Sequence, residues 1–239
     1  KPSGFAYSMS CWQKQVEAFV EEVVGGSTQP FFIGNSLGSL IALNVVENSR
    51  GPVCLLNCGG GMNFKCVLKD GYNPAFKILS PLFTLSDVIL QSPLLKLLFN
   101  SLATREKIRE ILSSGVYRNP SRVDDDLVES FYAPSQTPGA LEAFESILTG
   151  DPGESPLTLA ERLEDVQMLV LWGNEDTVTP FGGPVGQYFL ELSRRRPSTV
   201  KFVELAGVGH CPMDDAPDMV EKYLSPWLEK LERQQTPQA

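Results

Sequence analysis

The chain has 239 residues, enough for one domain with a substantial core or for a domain with a lid. Its formal net charge of −9 argues against a nucleic-acid partner, because such partners normally need a basic face. The single histidine argues against a zinc site, and the five cysteines, an odd number, fit free thiols better than a disulfide framework.

Two helices and two strands alternate along the first 61 residues. The first helix begins with the capping-box pair Ser10 and Gln13 and ends at the glycines in positions 25 and 26. Its apolar stripe at helical spacing comprises Trp12, Val16, Phe19, Val20 and Val23. Apolar runs at 30–33 and 53–56 predict buried strands, with a helix at 37–48 between them. This order predicts a parallel sheet with helical crossovers.

No strand is predicted between residues 62 and 150. Pro81 and Pro93 divide a leucine-rich stretch into short helices. Charged residues interrupt this stretch, so no apolar run approaches the roughly 18 residues that a membrane span requires. Two compatible interpretations remain: a helical subdomain with its own core, and a groove for a long hydrocarbon chain.

The alternating pattern returns near the carboxyl end. Strands are predicted at 168–172 and 200–205, with a helix at 185–192 between them. A last apolar stripe from Met219 predicts a final helix that Pro226 kinks or splits. The sequence therefore predicts an α/β core.

The proposed core consists of residues 1–61 and 151–239, and residues 62–150 form a helical cap. The chain begins at Lys1 without a recognisable signal or transit pattern, so its first residues indicate no location.

A G-x-S-x-G motif at residues 34–38 lies directly between a predicted strand and a predicted helix. In that context the motif forms a sharp turn that presents its serine, here Ser36, as a nucleophile. The N–H of Leu37, at the start of the helix, is then placed to bind an oxyanion. The alternative is an ordinary glycine-rich turn with a helix-capping serine.

An acid and a base occur where such a nucleophile needs them. Asp176 follows the strand at 168–172, with Glu175 as the nearest rival for the same role, and His210 follows the strand at 200–205. The order serine, acid, histidine distinguishes one class of triad enzymes. The sequence therefore predicts Ser36, Asp176 and His210 as a catalytic triad for ester hydrolysis, with no metal or organic cofactor.

Four stretches of the chain are more specific to one family than the G-x-S-x-G motif alone. They are residues 32–38, 55–63, 183–186 and 207–215, which include Leu-Asn-Cys-Gly-Gly-Gly-Met-Asn and Gly-His-Cys-Pro. They resemble the chlorophyll dephytylase and pheophytinase group of plastid α/β-hydrolases, along nearly the whole chain. By matching motif, the resemblance again assigns the nucleophile to Ser36, the acid to Asp176 and the base to His210.

The resemblance implies an α/β-hydrolase fold, a phytyl ester of chlorophyll or pheophytin as substrate, a chloroplast location and possible contact with the thylakoid membrane. Members of the group begin with several strands and a loop that supplies a second oxyanion-hole N–H. We therefore expect this chain to lack the first strands of the sheet. A lipase or carboxylesterase for other acyl esters, and a non-catalytic binding protein with the same fold, are the alternatives.

Overall fold

A computed structural model describes residues 7–25, 29–90 and 93–235, without the side chains of Val88, Ile89 and Gln235. Gly26, which was predicted to help end the first helix, lies outside these ranges. No helix within them is long and apolar enough to cross a membrane.

Four parallel strands form one sheet in the order β1-β2-β3-β4. They are β1 Phe32–Asn35, β2 Val53–Leu56, β3 Met168–Gly173 and β4 Val200–Leu205. Phe32 pairs with Val53, Val53 with Met168, and Met168 with Val200. Because the strands start level and run in the same direction, their carboxyl ends open on one common edge of the sheet. The predicted parallel sheet is confirmed.

The described helices lie before, between and after these strands. They are α1 Met9–Phe19, α2 Leu37–Ser49, α3 Ser80–Leu90, α4 Pro93–Leu102, α5 Arg105–Ile111, α6 Asp125–Ser135, α7 Ala140–Thr149, α8 Pro156–Arg162, α9 Pro184–Arg195, α10 Pro212–Asp215 and α11 Pro217–Gln235. Shorter helical turns span Val20–Val24, Phe64–Leu68, Pro74–Leu79, Leu112–Val116 and Pro120–Arg122.

Both faces of the sheet are covered by helices. Alternate residues of β3 point to opposite sides: Val170 joins a core with α2, α8 and α9, whereas Leu171 joins a core with α11. Every residue of β2 and β3 is buried, which explains why these strands are continuous apolar runs in the sequence.

Helix α1 begins two residues earlier than the capping-box spacing predicts. Ser8, in an extended conformation, accepts the hydrogen bond from the Cys11 N–H at 3.2 Å, so Ser10 is not the cap. Of the predicted apolar stripe, Trp12, Val16 and Val20 pack against the core, because they follow one side of the helix at four-residue spacing. Phe19 and Val23 are exposed.

Strand β1 lies two residues further along the chain than the run at 30–33. It begins at Phe32, whose N–H donates to the Pro52 carbonyl, and Pro30 cannot donate to a sheet ladder. At the other end of the chain, α11 continues through Pro226 and is not split.

Every regular element described between residues 62 and 150 is helical, as the sequence predicts. Most described apolar side chains of the leucine-rich stretch are exposed, so this stretch contributes little to a core of the helical subdomain. A small core forms further along instead, from Leu112, Tyr117, Val123 and Val128, and it includes Cys211 from beyond β4. The separation of residues 62–150 as a cap remains a prediction.

Candidate active site

Ser36 lies at the sharp turn between β1 and α2. Its backbone has φ 53° and ψ −118°, a strained conformation for a residue other than glycine. A Cβ on Gly34 would come within 2.3 Å of the Gly38 carbonyl oxygen, so the turn requires glycine at that position. A Cβ on Gly38 would meet open space, so only the first of the two flanking glycines is needed to avoid a clash.

The Ser36 side chain does not cap α2, although Ser36 occupies the cap position. The buried hydroxyl of Ser39 ties the turn together instead, by donating to the Gly34 carbonyl at 2.6 Å. The alternative of an ordinary helix-capping serine therefore does not describe this turn. Leu37 is the first residue of α2, so its N–H has no acceptor within the helix and is available to an anion.

Asp176 follows β3 and its carboxylate is buried among five donors. One oxygen accepts the backbone N–H groups of Val178 at 2.7 Å and Thr179 at 2.9 Å. The other faces the Asn57 amide and the Thr179 hydroxyl, both at 2.6 Å, and His210 Nδ1 at 2.8 Å. Burial raises the pKa of Asp176, but hydrogen bonds from His210, Thr179 and Asn57 outweigh burial and hold the pKa below its ordinary value.

Glu175, the rival acid, points elsewhere. It is exposed, and its carboxylate lies 3.3 Å from the guanidinium of Arg118. The carboxylate that accepts the hydrogen bond from His210 Nδ1 is therefore that of the neighbouring residue, Asp176.

His210 lies beyond β4, on the same edge of the sheet as Ser36. The amide of Asn35 donates to the His210 carbonyl at 2.9 Å, which ties the histidine loop to the residue before Ser36. Every buried side-chain nitrogen or oxygen in the described residues has a hydrogen-bond partner. No hydrogen bond joins Nε2 of His210 to any described residue, and the His210 side chain is 9% exposed.

No hydrogen bond joins Ser36 to His210 among the described residues. Such bonds are often long in unliganded enzymes and tighten when substrate binds. The arrangement thus supplies a hydrogen-bonded acid and histidine, an available serine hydroxyl and a free helix N–H, on adjoining loops of one sheet edge.

Asn57, the residue after β2, was missed as a site residue. It is fully buried with φ 45°. Its side-chain NH₂ donates to Asp176 at 2.6 Å, and its side-chain oxygen Oδ1 accepts the Gly173 N–H at 3.1 Å. Asn57 therefore fixes the carboxylate against the end of β3. The signal in the sequence was a single amide side chain directly after an apolar strand, at the edge where α/β sheets carry their chemistry.

We expect Asn57→Asp to retain the fold but to change the pH dependence of the free energy of unfolding. The new carboxylate would face Asp176 at the 2.6 Å that now separates amide and acid, so the pair must share a proton and the pair's upper pKa rises. The folded variant then holds a proton that its unfolded chain releases, so its free energy of unfolding falls as the pH rises. At neutral pH we expect this free energy to be about 1–3 kcal/mol below that of the wild type.

Urea unfolding at a series of pH values measures this effect, with Asn100→Asp at an exposed position of α4 as the control. A pH dependence of Asn57→Asp identical to that of the wild type would show that Asn57 does not contact the acid in solution.

A second buried carboxylate anchors the histidine loop. Asp215 accepts the N–H of Gly209 at 2.7 Å, of Asn119 at 2.7 Å and of Arg118 at 3.1 Å. The His210 N–H also donates to the Val116 carbonyl at 2.8 Å. Residues 116–119, which lie between α5 and α6, are thus bonded directly to the loop that carries His210.

No group of three or more His, Cys, Asp or Glu side chains placed to hold a metal ion occurs within residues 7–25, 29–90 and 93–235. All five cysteines are free thiols, and burial raises the pKa of Cys54 to about 12.

The model of the alpha/beta hydrolase family matches residues 2–222. This chain belongs to the alpha/beta hydrolase family. The predicted fold class is thereby confirmed.

This alpha/beta hydrolase is 30% identical over 245 aligned positions to the chloroplastic pheophytinase of Arabidopsis thaliana. The alignment covers 95% of this chain and 46% of the pheophytinase, so the chain spans about half the length of that curated relative. The similarity agrees with the resemblance found in the motifs.

Solved structures agree on the fold of this alpha/beta hydrolase. A meta-cleavage product hydrolase from Pseudomonas fluorescens IP01 superposes with a TM-score of 0.62 at 16% identity, over 97% of this chain and 75% of that one. A serine hydrolase involved in carbazole degradation gives a TM-score of 0.67 at 16% identity, over 96% and 74%. At such identities the likeness supports the fold alone.

Proposed function

We propose that this alpha/beta hydrolase is a serine esterase with Ser36 as nucleophile, His210 as general base and Asp176 as the acid that orients it. The observation that carries the proposal is the 2.8 Å hydrogen bond between His210 Nδ1 and a buried Asp176 carboxylate, on a loop that Asn35 ties beside Ser36. That bond keeps the proton on Nδ1, so Nε2 is free to accept one from Ser36.

The reaction proceeds in two halves. His210 Nε2 takes the Ser36 proton as Oγ attacks the ester carbonyl, and the Leu37 N–H stabilises the oxyanion. The carbon–oxygen bond to the alcohol then breaks, and His210 returns the proton to the departing alcohol. Water, deprotonated by His210, attacks the acyl-enzyme, and release of the acid restores the Ser36 hydroxyl. Asp176 stays ionised throughout and stabilises the imidazolium.

The proposed substrate is the phytyl ester of chlorophyll or pheophytin, and the proposed location is the chloroplast. The similarity to a chloroplastic pheophytinase along 95% of this chain supports both. The products are phytol and a chlorophyllide or pheophorbide. Phytol carries a long apolar chain, which suits an apolar segment such as residues 74–102.

We expect phytol release from chlorophyll or pheophytin by this chain, or by a longer form with additional residues at its amino end, and none by the matching Ser36→Ala variants. Chromatography measures both products, phytol and the chlorophyllide or pheophorbide. Short-chain nitrophenyl esters and a fluorophosphonate probe are run beside the pigments.

The outcomes separate the alternatives. Cleavage of nitrophenyl esters without phytol release would retain the triad and favour a lipase or carboxylesterase for other acyl esters. A protein that neither cleaves esters nor labels at Ser36 would be a non-catalytic binding protein with this fold.

A further inference from the structure

Eight large apolar side chains between residues 76 and 98 are exposed. They are Phe76, Ile78, Leu79, Leu82, Leu85, Leu94, Leu97 and Leu98, and we call them the leucine face. Five of them, Ile78, Leu82, Leu85, Leu94 and Leu97, are between 56% and 83% exposed. Single exposed apolar residues are ordinary, but a contiguous set on a folded protein marks an interaction surface.

The leucine face consists of exposed side chains of the helical turn Pro74–Leu79 and of α3 and α4. Both helices contact each other and α7. On α4, Leu95 is buried and the ring of Phe99 lies 5.3 Å from that of Phe144 on α7. Leu94 and Leu97 are three residues apart, so they project together from another side of the same helix.

The charge of this segment differs from that of the rest of the protein. Residues 74–102 contain Lys77, Lys96 and one acid, Asp87, and so have a net charge of +1. Because the whole chain has a net charge of −9, the remaining residues have a net charge of −10. Asp87 is neutralised by Lys65 at 2.8 Å, and both side chains are largely buried. Both Lys77 and Lys96 are exposed, and the weak pairing of Lys77 with exposed Asp70 at 3.6 Å does not remove its charge.

The composition of the leucine face points to lipid as its occupant. Protein interfaces are anchored mainly by tryptophan, tyrosine and arginine, with leucine under-represented. Here one phenylalanine accompanies seven aliphatic residues, and the exposed charged residues of the segment 74–102 are Lys77 and Lys96. Helices with an apolar side and lysines beside it bind at the boundary between headgroups and acyl chains, most strongly where the headgroups are anionic.

We propose that the leucine face docks this hydrolase onto the surface of a bilayer that contains anionic lipids, with the leucines in the interfacial region and Lys77 and Lys96 at the headgroups. The docking holds whatever ester the enzyme cleaves, because none of the proposed catalytic residues takes part in it.

Co-sedimentation with vesicles tests the proposal. We expect the wild-type chain to bind vesicles of phosphatidylcholine mixed with phosphatidylglycerol. Replacing Leu82 and Leu97 together by glutamine should weaken binding about tenfold or more, since two apolar side chains leave the acyl boundary. The control replaces Phe19 and Val23 by glutamine; these are 57% and 66% exposed on a different helix, and binding should not change.

Two further comparisons identify the mode of binding. Lys77→Gln with Lys96→Gln should lower the affinity for mixed vesicles and leave that for pure phosphatidylcholine unchanged. Ser36→Ala should bind as the wild type does, so that loss of catalysis and loss of docking are told apart. Circular dichroism checks that each variant is folded.

Absence of wild-type binding to either vesicle would overturn the proposal, as would equal binding by the Leu82→Gln, Leu97→Gln variant. A wild-type dimer in sedimentation velocity that this variant abolishes, with vesicle binding unchanged, would assign the leucine face to a second copy of the chain instead.

Discussion

Ser36→Ala is expected to reduce the kcat of ester hydrolysis by up to about a million-fold, because only substrate binding and the oxyanion donor then remain to accelerate the reaction. The methyl group cannot attack a carbonyl, and no other hydroxyl takes its place at the turn. Stability should change by no more than about 0.5 kcal/mol, because the Ser36 side chain caps nothing and the strained backbone is retained. Single-turnover hydrolysis and thermal unfolding measure the two effects.

The matched control lies three residues away. Ser39→Ala removes a buried hydroxyl that donates to Gly34 at 2.6 Å, so it should lower stability by about 1 kcal/mol while leaving the nucleophile in place. Activity lost in Ser39→Ala and retained in Ser36→Ala would reject Ser36 as the nucleophile.

Asp176→Asn is expected to lower kcat by about 10,000-fold with substrate binding retained. Two backbone N–H groups, from Val178 and Thr179, face one oxygen of Asp176 and would select the new amide's oxygen there. The amide NH₂ would then face His210 and donate to Nδ1. That moves the imidazole proton to Nε2, which can no longer accept the proton of Ser36.

Comparison of kcat and KM for Asp176→Asn and Glu175→Gln measures this effect. Glu175 is exposed and lies against Arg118, so its variant should retain nearly all activity. A larger loss in Glu175→Gln than in Asp176→Asn would place the acid one residue earlier.

The sheet and the candidate site could be predicted because their signals are local. The strands at 53–56 and 200–205 have the bounds that the sequence predicts. The first is a continuous apolar run, and in the second Lys201 and Glu204 interrupt the apolar residues. Ser36, Asp176 and His210 each follow a strand, and the carboxyl ends of parallel strands share an edge. The structure confirms the fold and their neighbourhood on that edge, and their catalytic roles remain a prediction.

What could not be predicted depends on contacts between distant parts of the chain. Asn57 and Asp176 are 119 residues apart in sequence, and no local sequence pattern predicts the hydrogen bond between them. The leucine-rich stretch has the composition of a core, and only the packing of α3 and α4 decides which side chains stay exposed. Ser8 and not Ser10 caps α1, because two serines only two residues apart both have the right side chain and the sequence does not decide between them.

Residues 116–119 limit how this protein can recombine with its relatives. Val116 accepts the His210 N–H, Arg118 donates to the Glu175 carbonyl at 3.1 Å, and Asp215 holds Arg118 and Asn119. Most of these bonds join backbone groups of residues 116–119, so a recombinant that changes the length or path of this segment would disturb both loops at once. A crossover between residues 74 and 102 leaves those bonds intact. The outer helices can therefore change more freely than the path of residues 116–119.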